Sequence, residues 1–444
     1  MSNDQPGTSS RIPGFYKMST SGRLEELSRA AGCSLQEVQA LMGNDGNGLS
    51  LEVADRMVEN VVGVFGLPMG VGVNLKINGR EHLVPMVVEE PSVVAGLSHG
   101  AKLLRSDRGI ETETTDPVMI GQVQVLDVPD LDHARQALRS ATAELLAAAN
   151  GLDPALVAAG GGAKGIETRV LQPLDSGDPL GPMLVVHLLV DVRDAMGANA
   201  INTMVEKLAP RIAALTGGRV RLRILSNLAD RRLVTARGRV PFDLLGKGNP
   251  LLGRDVAHGI EEASVLAERD PYRAATHNKG IMNGVDAFLV ATGQDWRAVE
   301  AGAHSYAARK GRYTALSRWR ITDDGLVGEI TLPMAVGTVG GVLRTHPAVQ
   351  ASVHRVLKVT TAAQLGRIAA ACGLTQNLAA LRALATEGIQ RGHMGLHARN
   401  VAASAGAEGE EIDRLARELA SQGAFDAAAA SAALSRIRRH KPAA

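Results

Sequence analysis

Val118-Met119-Ile120-Gly121-Gln122-Val123-Gln124-Val125-Leu126-Asp127-Val128 alternates apolar and polar side chains, the period of a strand with one buried face. Working outward, residues 132–150 place Ala134, Leu138, Leu145 and Leu146 at helical spacing, and Gly160-Gly161-Gly162 breaks that run. Residues 166–171 read as a short strand and 183–192 as a buried one; 198–215 has helical spacing and 220–225 alternates again. The resulting order, β-α-β-β-α-β, is the split βαβ arrangement of ferredoxin-like domains, an antiparallel sheet with both helices on one face. It places a small domain at 117–227, inserted into a larger, discontinuous α/β domain. The expected class is α+β.

Composition narrows the possible functions. With 444 residues, 45% of them hydrophobic, the chain can bury a large core divided among two to four domains. Charge is nearly balanced, 48 basic against 46 acidic residues, and aromatic residues make up only 2%, so nucleic acid is not an expected partner. Cys33 and Cys372 lie too far apart in sequence for a disulfide framework or a Cys-rich zinc site, and read as buried thiols in a reducing cytoplasm. No uninterrupted apolar run approaches the roughly 20 residues of a membrane helix, and residues 1–10 lack a signal-peptide core. The expectation is a cytoplasmic protein without a membrane span.

Several segments carry chemistry. The glycine triplet leaves a helix, where a dinucleotide fingerprint would leave the first strand, so it reads as a flexible turn sooner than a phosphate cradle. Asp194-Ala195-Met196-Gly197-Ala198-Asn199 is better placed, between a strand and a helix whose first N–H groups can hold an anion. Residues 51–65 form an amphipathic pattern, with Leu51, Ala54, Met57, Val61 and Val62 on one face, ended by Leu67-Pro68. The apolar strand 84–88 runs into Glu89-Glu90-Pro91-Ser92. There, one of two adjacent carboxylates can be held protonated as an acid, or one can simply cap the next helix.

Residues 270–280 concentrate polar and cationic groups ahead of an apolar helix at 281–291, a setting suited to an anionic substrate. A lysine near a helix start opposes the macrodipole, so helix stability does not account for Lys279, although plain solvent exposure would. Asp295 can reach it only if the chain turns at Gly293. His393 sits in Ile389-Gln390-Arg391-Gly392-His393-Met394-Gly395-Leu396-His397-Ala398-Arg399-Asn400, where Gly392 and Gly395 suit a mobile cap; a surface or core histidine fits as well. His393 and His397 have the spacing of a helical zinc pair, but Met394 stands where His-Glu-x-x-His needs glutamate, so no metal is expected. Beyond Gly406, Ile412, Leu415 and Leu419 mark one face of a helical tail, and Gly423 separates a second segment ending in Arg436, Arg438, Arg439 and Lys441, a solvated helix end.

Taken in order, Arg11-Ile12-Pro13-Gly14-Phe15, Val84-Pro85-Met86-Val87-Val88-Glu89-Glu90-Pro91-Ser92, Asp191-Val192-Arg193-Asp194-Ala195-Met196-Gly197-Ala198-Asn199, residues 273–283, Ala291-Thr292-Gly293-Gln294-Asp295-Trp296-Arg297 and Gly392-His393-Met394 resemble the hydroxymethylglutaryl-CoA (HMG-CoA) reductase family, in its class II, soluble bacterial form. The resemblance spans nearly the whole chain. It implies a catalytic set of Glu90, Lys279, Asp295 and His393. Lys279 would stabilise the thioester oxyanion, Asp295 would orient Lys279, His393 would protonate the CoA thiolate, and Glu90 would donate a proton as mevaldehyde is reduced to mevalonate.

The resemblance also implies that Ser92, Arg273, Asn283 and Gln376 lie near the hydroxymethylglutaryl group or the CoA chain, Arg273 meeting the free carboxylate. Lys17 stands where a close relative has an arginine that meets CoA phosphates. The nicotinamide would bind the small domain through Asp194, Met196, Gly197, Asn199 and Asn227. Asp153 at the adenosine ribose would favour NAD(H) over NADP(H). Implied too is a homo-oligomer built from dimers, with active sites between subunits and the Glu59-Asn60 segment in the interface. The domains would then be 1–116 and 228–388 (large), 117–227 (small, nicotinamide-binding) and 389–444, a mobile helical flap carrying His393. Two other classes would use similar residues: a CoA-thioester transferase or hydrolase without hydride chemistry, and a non-catalytic CoA- or nucleotide-binding regulator. Intact Asp194 and Asn199 argue against the first, and retention of all four ionisable residues against the second.

Overall fold

The computed structural model of the chain describes residues 9–42, 48–106, 108–386 and 398–439. Serines open the first helices: Ser19 caps α1 (Thr20–Ala31) by accepting from the Gly22 N–H, and Ser34 forms a reciprocal box with Glu37 at α2 (Leu35–Gln39). After α3 (Leu51–Met57), strands β1 (Met69–Ile77) and β2 (Arg80–Val87) pair as a hairpin through Asn78-Gly79. Both turn residues have positive φ, 49° and 86°, which a tight primed turn demands and Asn-Gly tolerates. Helix α4 (Val93–Leu103) packs on β1, and β3 (Glu111–Thr114) leads to the small unit.

The small unit runs β4 (Val118–Leu126), α5 (Leu131–Ser140), α6 (Thr142–Gly151), α7 (Pro154–Ala158), β5 (Gly162–Leu171), β6 (Met183–Asp191), α8 (Ala198–Thr216) and β7 (Arg219–Ser226). Its antiparallel sheet has the order β5-β6-β4-β7, the ferredoxin-like topology. Met119, Val123 and Val125 of β4 meet Ala134, Leu138 and Leu145 of α5 and α6 and Ile201, Met204 and Val205 of α8 in one apolar core. Helix α8 can lie this close because position 121 is glycine; a Cβ there would stand 2.6 Å from Val205 and 2.7 Å from Ile201.

The large unit resumes with β8 (Leu233–Val240), α9 (Phe242–Leu245), α10 (Pro250–Arg269), α11 (Pro271–Ala291), α12 (Trp296–Ala307), β9 (Ser317–Thr322), β10 (Gly325–Pro333), α13 (Gly341–Thr345), α14 (Pro347–Gln350) and α15 (Ala362–Ala385). Its sheet has the order β3-β8-β10-β9. Helix α15 runs through the middle, touching α4, α10, α11, β8 and β10. At 24 residues it is, among the described residues, the one helix long and apolar enough to cross a membrane, yet 67% of its apolar window is buried inside the protein. Burial by its own chain explains that composition. Helices Glu410–Gln422 and Ala427–Arg439 close a separate core through Leu415, Leu419, Ala433 and Leu434, with Gly423 (φ 65°) ending the first.

Four sequence readings change. The helix expected at 132–150 is two helices, because Ala141 (φ −87°, ψ 3°) leaves the helical path between α5 and α6. The amphipathic helix at 51–65 stops at Met57: Val58 is extended (φ −140°, ψ 149°), and Val62 and Phe65 are 99% and 89% exposed, so among the described residues no packing rewards continuing it. The glycine triplet is a packed turn, where Asn150 bridges the Ala163 N–H and C=O and Gly162 leaves no room for a Cβ. The terminal arginines are not merely solvated, since Arg436 pairs with Glu418 at 2.7 Å and Arg438 with Glu411 at 2.9 Å. His393, Gly392, Gly395 and Lys441 lie outside the described residues.

Candidate active site

Strand β2 ends at Val87, and the chain turns through Glu89 and Glu90 to Ser92 at the start of α4. Glu89 is exposed, whereas Glu90 is half-buried. There Lys279 Nζ donates to Glu90 Oε2 at 2.5 Å, and Asn283 Nδ2 reaches the same oxygen at 3.3 Å. Lys279 and Asn283 are four apart on α11, so one helix face presents both. The helix begins at Pro271, with Asp270 accepting from the N–H groups of Tyr272 and Arg273, and not near residue 281. Lys279 is therefore a mid-helix residue, and the macrodipole has no bearing on it.

Ser92 holds φ 74°, ψ −9°, a left-handed conformation unusual for a residue with a Cβ, and its hydroxyl does not cap α4. Among the described residues, the first-turn N–H groups of α4 consequently have no capping side-chain acceptor. Gln376, from the middle of α15, is buried with Oε1 lacking a hydrogen-bond partner. Two glycines make room for it: a Cβ on Gly96 would lie 3.1 Å from Gln376 Nε2, and one on Gly284 would lie 2.8 Å from Gln376 Cβ. Arg273 is half-buried, which pushes its guanidinium below its ordinary value, and among the described residues no carboxylate pairs with it. His277, on the next turn, is held neutral with a pKa lowered to about 4 by burial and by Arg273; it ties α11 to Ser317 and Asn377. Lys17 lies apart on an exposed turn, 5.8 Å over the Tyr16 ring.

A second concavity, about 520 Å³, lies where α8 begins. Asp153, Met196, Gly197 and Asn199 line it, together with Val339 and Gly340. Gly197 occupies φ 101°, and a Cβ there would strike Val192 at 2.5 Å, so the turn into α8 is open to glycine alone. With no side-chain cap, the N-terminus of this 19-residue helix offers free N–H groups and a positive dipole end to the cleft. Asp153 uses one oxygen to cap α7, accepting from Leu156 N at 2.9 Å. Asp194 holds the loop: its carboxylate accepts from Ala362 N at the start of α15, and its carbonyl from Thr338 N, both at 2.8 Å. Asn227 is exposed beyond β7 and is not among the residues lining the cleft.

Asp295 stands at the N-cap of α12, accepting from Ala298 N at 3.1 Å, with Arg297 3.8 Å away. Gly293 (φ 65°) makes the turn that the sequence requires, and Gln294 accepts from the Gly337 N–H beside the cleft. Among the described residues no hydrogen bond or ion pair joins Asp295 to Lys279; in this single chain Lys279 pairs with Glu90. No group of three or more His, Cys, Asp or Glu side chains converges as a metal site among the described residues.

A family model described as hydroxymethylglutaryl-coenzyme A reductase matches residues 19–398. The chain belongs to this family. It is 50% identical to the 3-hydroxy-3-methylglutaryl-coenzyme A reductase of Archaeoglobus fulgidus over 97% of its own length and 95% of that protein's. It also superposes on the corresponding reductase of Streptococcus pneumoniae with a TM-score of 0.80 at 43% identity, covering 96% of this chain and 99% of that one. A class II reductase structure from the same organism, bound to NADPH in open conformations, gives a TM-score of 0.80 at 44% identity, covering 84% and 99%.

Within the family frame, the sequence reading missed Val339 and Gly340 at the cleft. Their signal was Gly337-Thr338-Val339-Gly340-Gly341, a glycine-rich run following β10. A Cβ at Gly337 would stand 2.6 Å from Met196 N, so this run and the Asp194–Asn199 loop lie backbone to backbone. Ala195 and Val339 form a parallel bridge across them.

Proposed function

We propose that the protein interconverts HMG-CoA with mevalonate and CoA by two successive hydride transfers, through mevaldyl-CoA and mevaldehyde. The observation that carries this reading is the convergence on one Glu90 oxygen of Lys279 and Asn283, side chains 189 and 193 residues away. Lys279 is placed to meet the thioester oxygen as it gains charge, and later the mevaldehyde oxygen. Glu90, bonded to Lys279, supplies the proton for the second reduction. Asp295, on the far side of the Gly293 turn, orients Lys279 once the site is assembled, and His393 protonates the departing thiolate. One proton thus goes to sulfur and one to the alcohol oxygen.

Arg273, a half-buried cation without a carboxylate partner, fits the free carboxylate of the substrate. Ser92, the open N-terminus of α4 and the unpartnered Gln376 oxygen supply polar groups for the rest of the hydroxymethylglutaryl moiety. Lys17 contributes charge towards the CoA phosphates.

The cleft at α8 fits a dinucleotide: Gly197 allows close backbone approach, and free N–H groups face a position suited to a pyrophosphate. The bound nicotinamide supplies hydride. Met196 and Asn199 line its site, with Asp194 fixing the loop from behind, and Asn227, exposed just after β7, is assigned to it by the family resemblance. Asp153 has one carboxylate oxygen uncommitted among the described residues, which favours a ribose hydroxyl and opposes a 2′-phosphate, so NADH is the preferred donor. The exposed apolar run beyond α3 supports a homodimer, or a multiple of it, with each site completed by the partner. The domain division at 116, 227 and 388 is supported by largely separate apolar cores, although Ala229 and Ala335 pack into that of the small unit. A cytoplasmic location accords with two free cysteines.

The test is purified protein with HMG-CoA, followed by absorbance of NADH and, separately, NADPH. Oxidation of two NADH for each mevalonate formed, with release of one CoA, is expected. CoA release without nicotinamide oxidation would indicate a hydrolase and end the reductase reading. Preference for NADPH would remove only the role given to Asp153.

A further inference from the structure

Arg232 stands in the link between the small and large units, one residue before β8, and is only 5% exposed. Among the described residues no ion pair joins it to an acid: the Asp191 carboxylate pairs with Arg193 at 2.9 Å, and that of Asp194 accepts from the Ala362 N–H. The Arg232 guanidinium meets backbone carbonyls instead. One terminal nitrogen donates to the Ala195 carbonyl at 3.1 Å and lies 3.5 Å from that of Met196, while the other donates to the Val336 carbonyl at 2.6 Å. Burying a cation without an acid partner is costly, and an apolar side chain of similar volume would avoid that cost. What arginine adds is a rigid, planar fork whose two ends hold two different segments.

Those segments form two sides of the cleft at α8. Ala195 and Met196 lead into Gly197 and the open N-terminus of α8, and Val336 leads into the Gly337–Gly341 run. The segments already touch through backbone, since Thr338 N donates to the Asp194 carbonyl at 2.8 Å and Ala195 bridges Val339. Arg232 fastens the same two segments at Val336, just before those contacts. The fastening is itself anchored: Met334 N donates to the Arg232 carbonyl at 2.9 Å, which fixes the arginine to the end of β10 in the large unit. From Val336 the path continues towards the catalytic candidates, because the next N–H, that of Gly337, donates to Gln294, the residue before Asp295.

We propose that Arg232 is a positioning residue for hydride transfer: its guanidinium sets the spacing of the two segments flanking the nicotinamide cleft and locks that cleft to the large unit that carries Lys279 and Asp295. The inference rests on reading the cleft at α8 as the nicotinamide site. Burial pushes the guanidinium down to about 10, with Asp194 and Asp191 acting in the opposite direction, so it stays charged at neutral pH and its bonds to the carbonyls are charge-assisted.

The experiment compares the full-length enzyme with Arg232→Lys and Arg232→Gln, neither of which carries the two-ended fork. NADH binding is followed by nicotinamide fluorescence, and kcat and KM for HMG-CoA are measured separately. The NADH dissociation constant should rise by about tenfold, roughly the worth of one charge-assisted bond. A misplaced hydride donor should lower kcat by up to about 10²-fold. KM for HMG-CoA should stay within about twofold, because Arg273 and Glu90 stand on other elements. A further variant leaves Arg232 in place: in Gly337→Ala the new Cβ, 2.6 Å from Met196 N, forces the same segments apart and should reproduce the split. Combined with Arg232→Lys it should cost less than the product of the two single losses, since both act on one spacing. A lowered melting temperature with NADH affinity and kcat per folded enzyme unchanged overturns the proposal, and so does a double variant whose losses multiply fully. If wild type binds neither NADH nor NADPH, the cofactor reading of the cleft falls first and the positioning role with it.

Discussion

Glu90 and Lys279 meet because a strand end and a helix face are brought together by packing, and no spacing in the sequence announces it. Their bond is half in solvent, with side-chain exposures of 34% and 59%, so it adds little to stability and can open for substrate. Lys279→Ala is accordingly expected to leave the melting temperature nearly unchanged while lowering kcat by about 10²- to 10³-fold, the usual cost of losing an oxyanion contact. Comparable binding of HMG-CoA by calorimetry, with kcat undiminished, would remove Lys279 from the chemistry. His393→Gln should impair thioester reduction far more than mevaldehyde reduction, since only the first releases a thiolate. Equal losses would refute that assignment. The identities of these residues were legible through motif resemblance. Which of them touch was not: the expected Lys279–Asp295 pair is absent from the described contacts, and Glu90 takes its place.

Among the elements, α11 shows how a local signal can be misread. Its polar first half looked like a loop because Thr276, His277, Asn278 and Lys279 are poor markers of a core helix, yet Asp270-Pro271 is a strong start signal. His277 and Asn278 are in fact buried and bonded to Ser317, Asn377, Thr314 and Leu316, so tertiary hydrogen bonds replace the apolar face that periodicity seeks. Asp270→Ala should cost about 1 kcal/mol of stability through loss of the cap, read as a lower melting temperature with KM for HMG-CoA raised because Arg273 sits in the first turn. The β-α-β-β-α-β unit was far more readable. Alternation and helical spacing there reflect burial within one contiguous segment; the break at Ala141, the short helix α7 and the early start of β5 escaped them.

For the molecule as a whole, the informative surface is the apolar stretch beyond α3, where Val62 and Phe65 stand almost fully exposed. Phe65→Asp is expected to shift light-scattering mass towards the monomer at micromolar concentration, with far-ultraviolet dichroism unchanged and reductase activity lost. A monomeric variant with full activity would show that each chain holds a complete site. The amphipathic pattern at 51–65 was real as composition but was not a long helix, because an apolar face pointing away from its own chain gains nothing from helical order.

The sequence by itself determined the ferredoxin-like insertion and the family, and through the family motifs it named the four ionisable candidates for catalysis, because strand and helix periods and short motifs are local properties. Tertiary structure alone decided that Lys279 and Asn283 share Glu90, that α15 is a core helix and not a span, and that Gly337–Gly341 lies against the turn into α8 beside the cleft. These depend on long-range packing and on the burial it imposes, and charge, exposure and partnership take their values only once the distant segments meet.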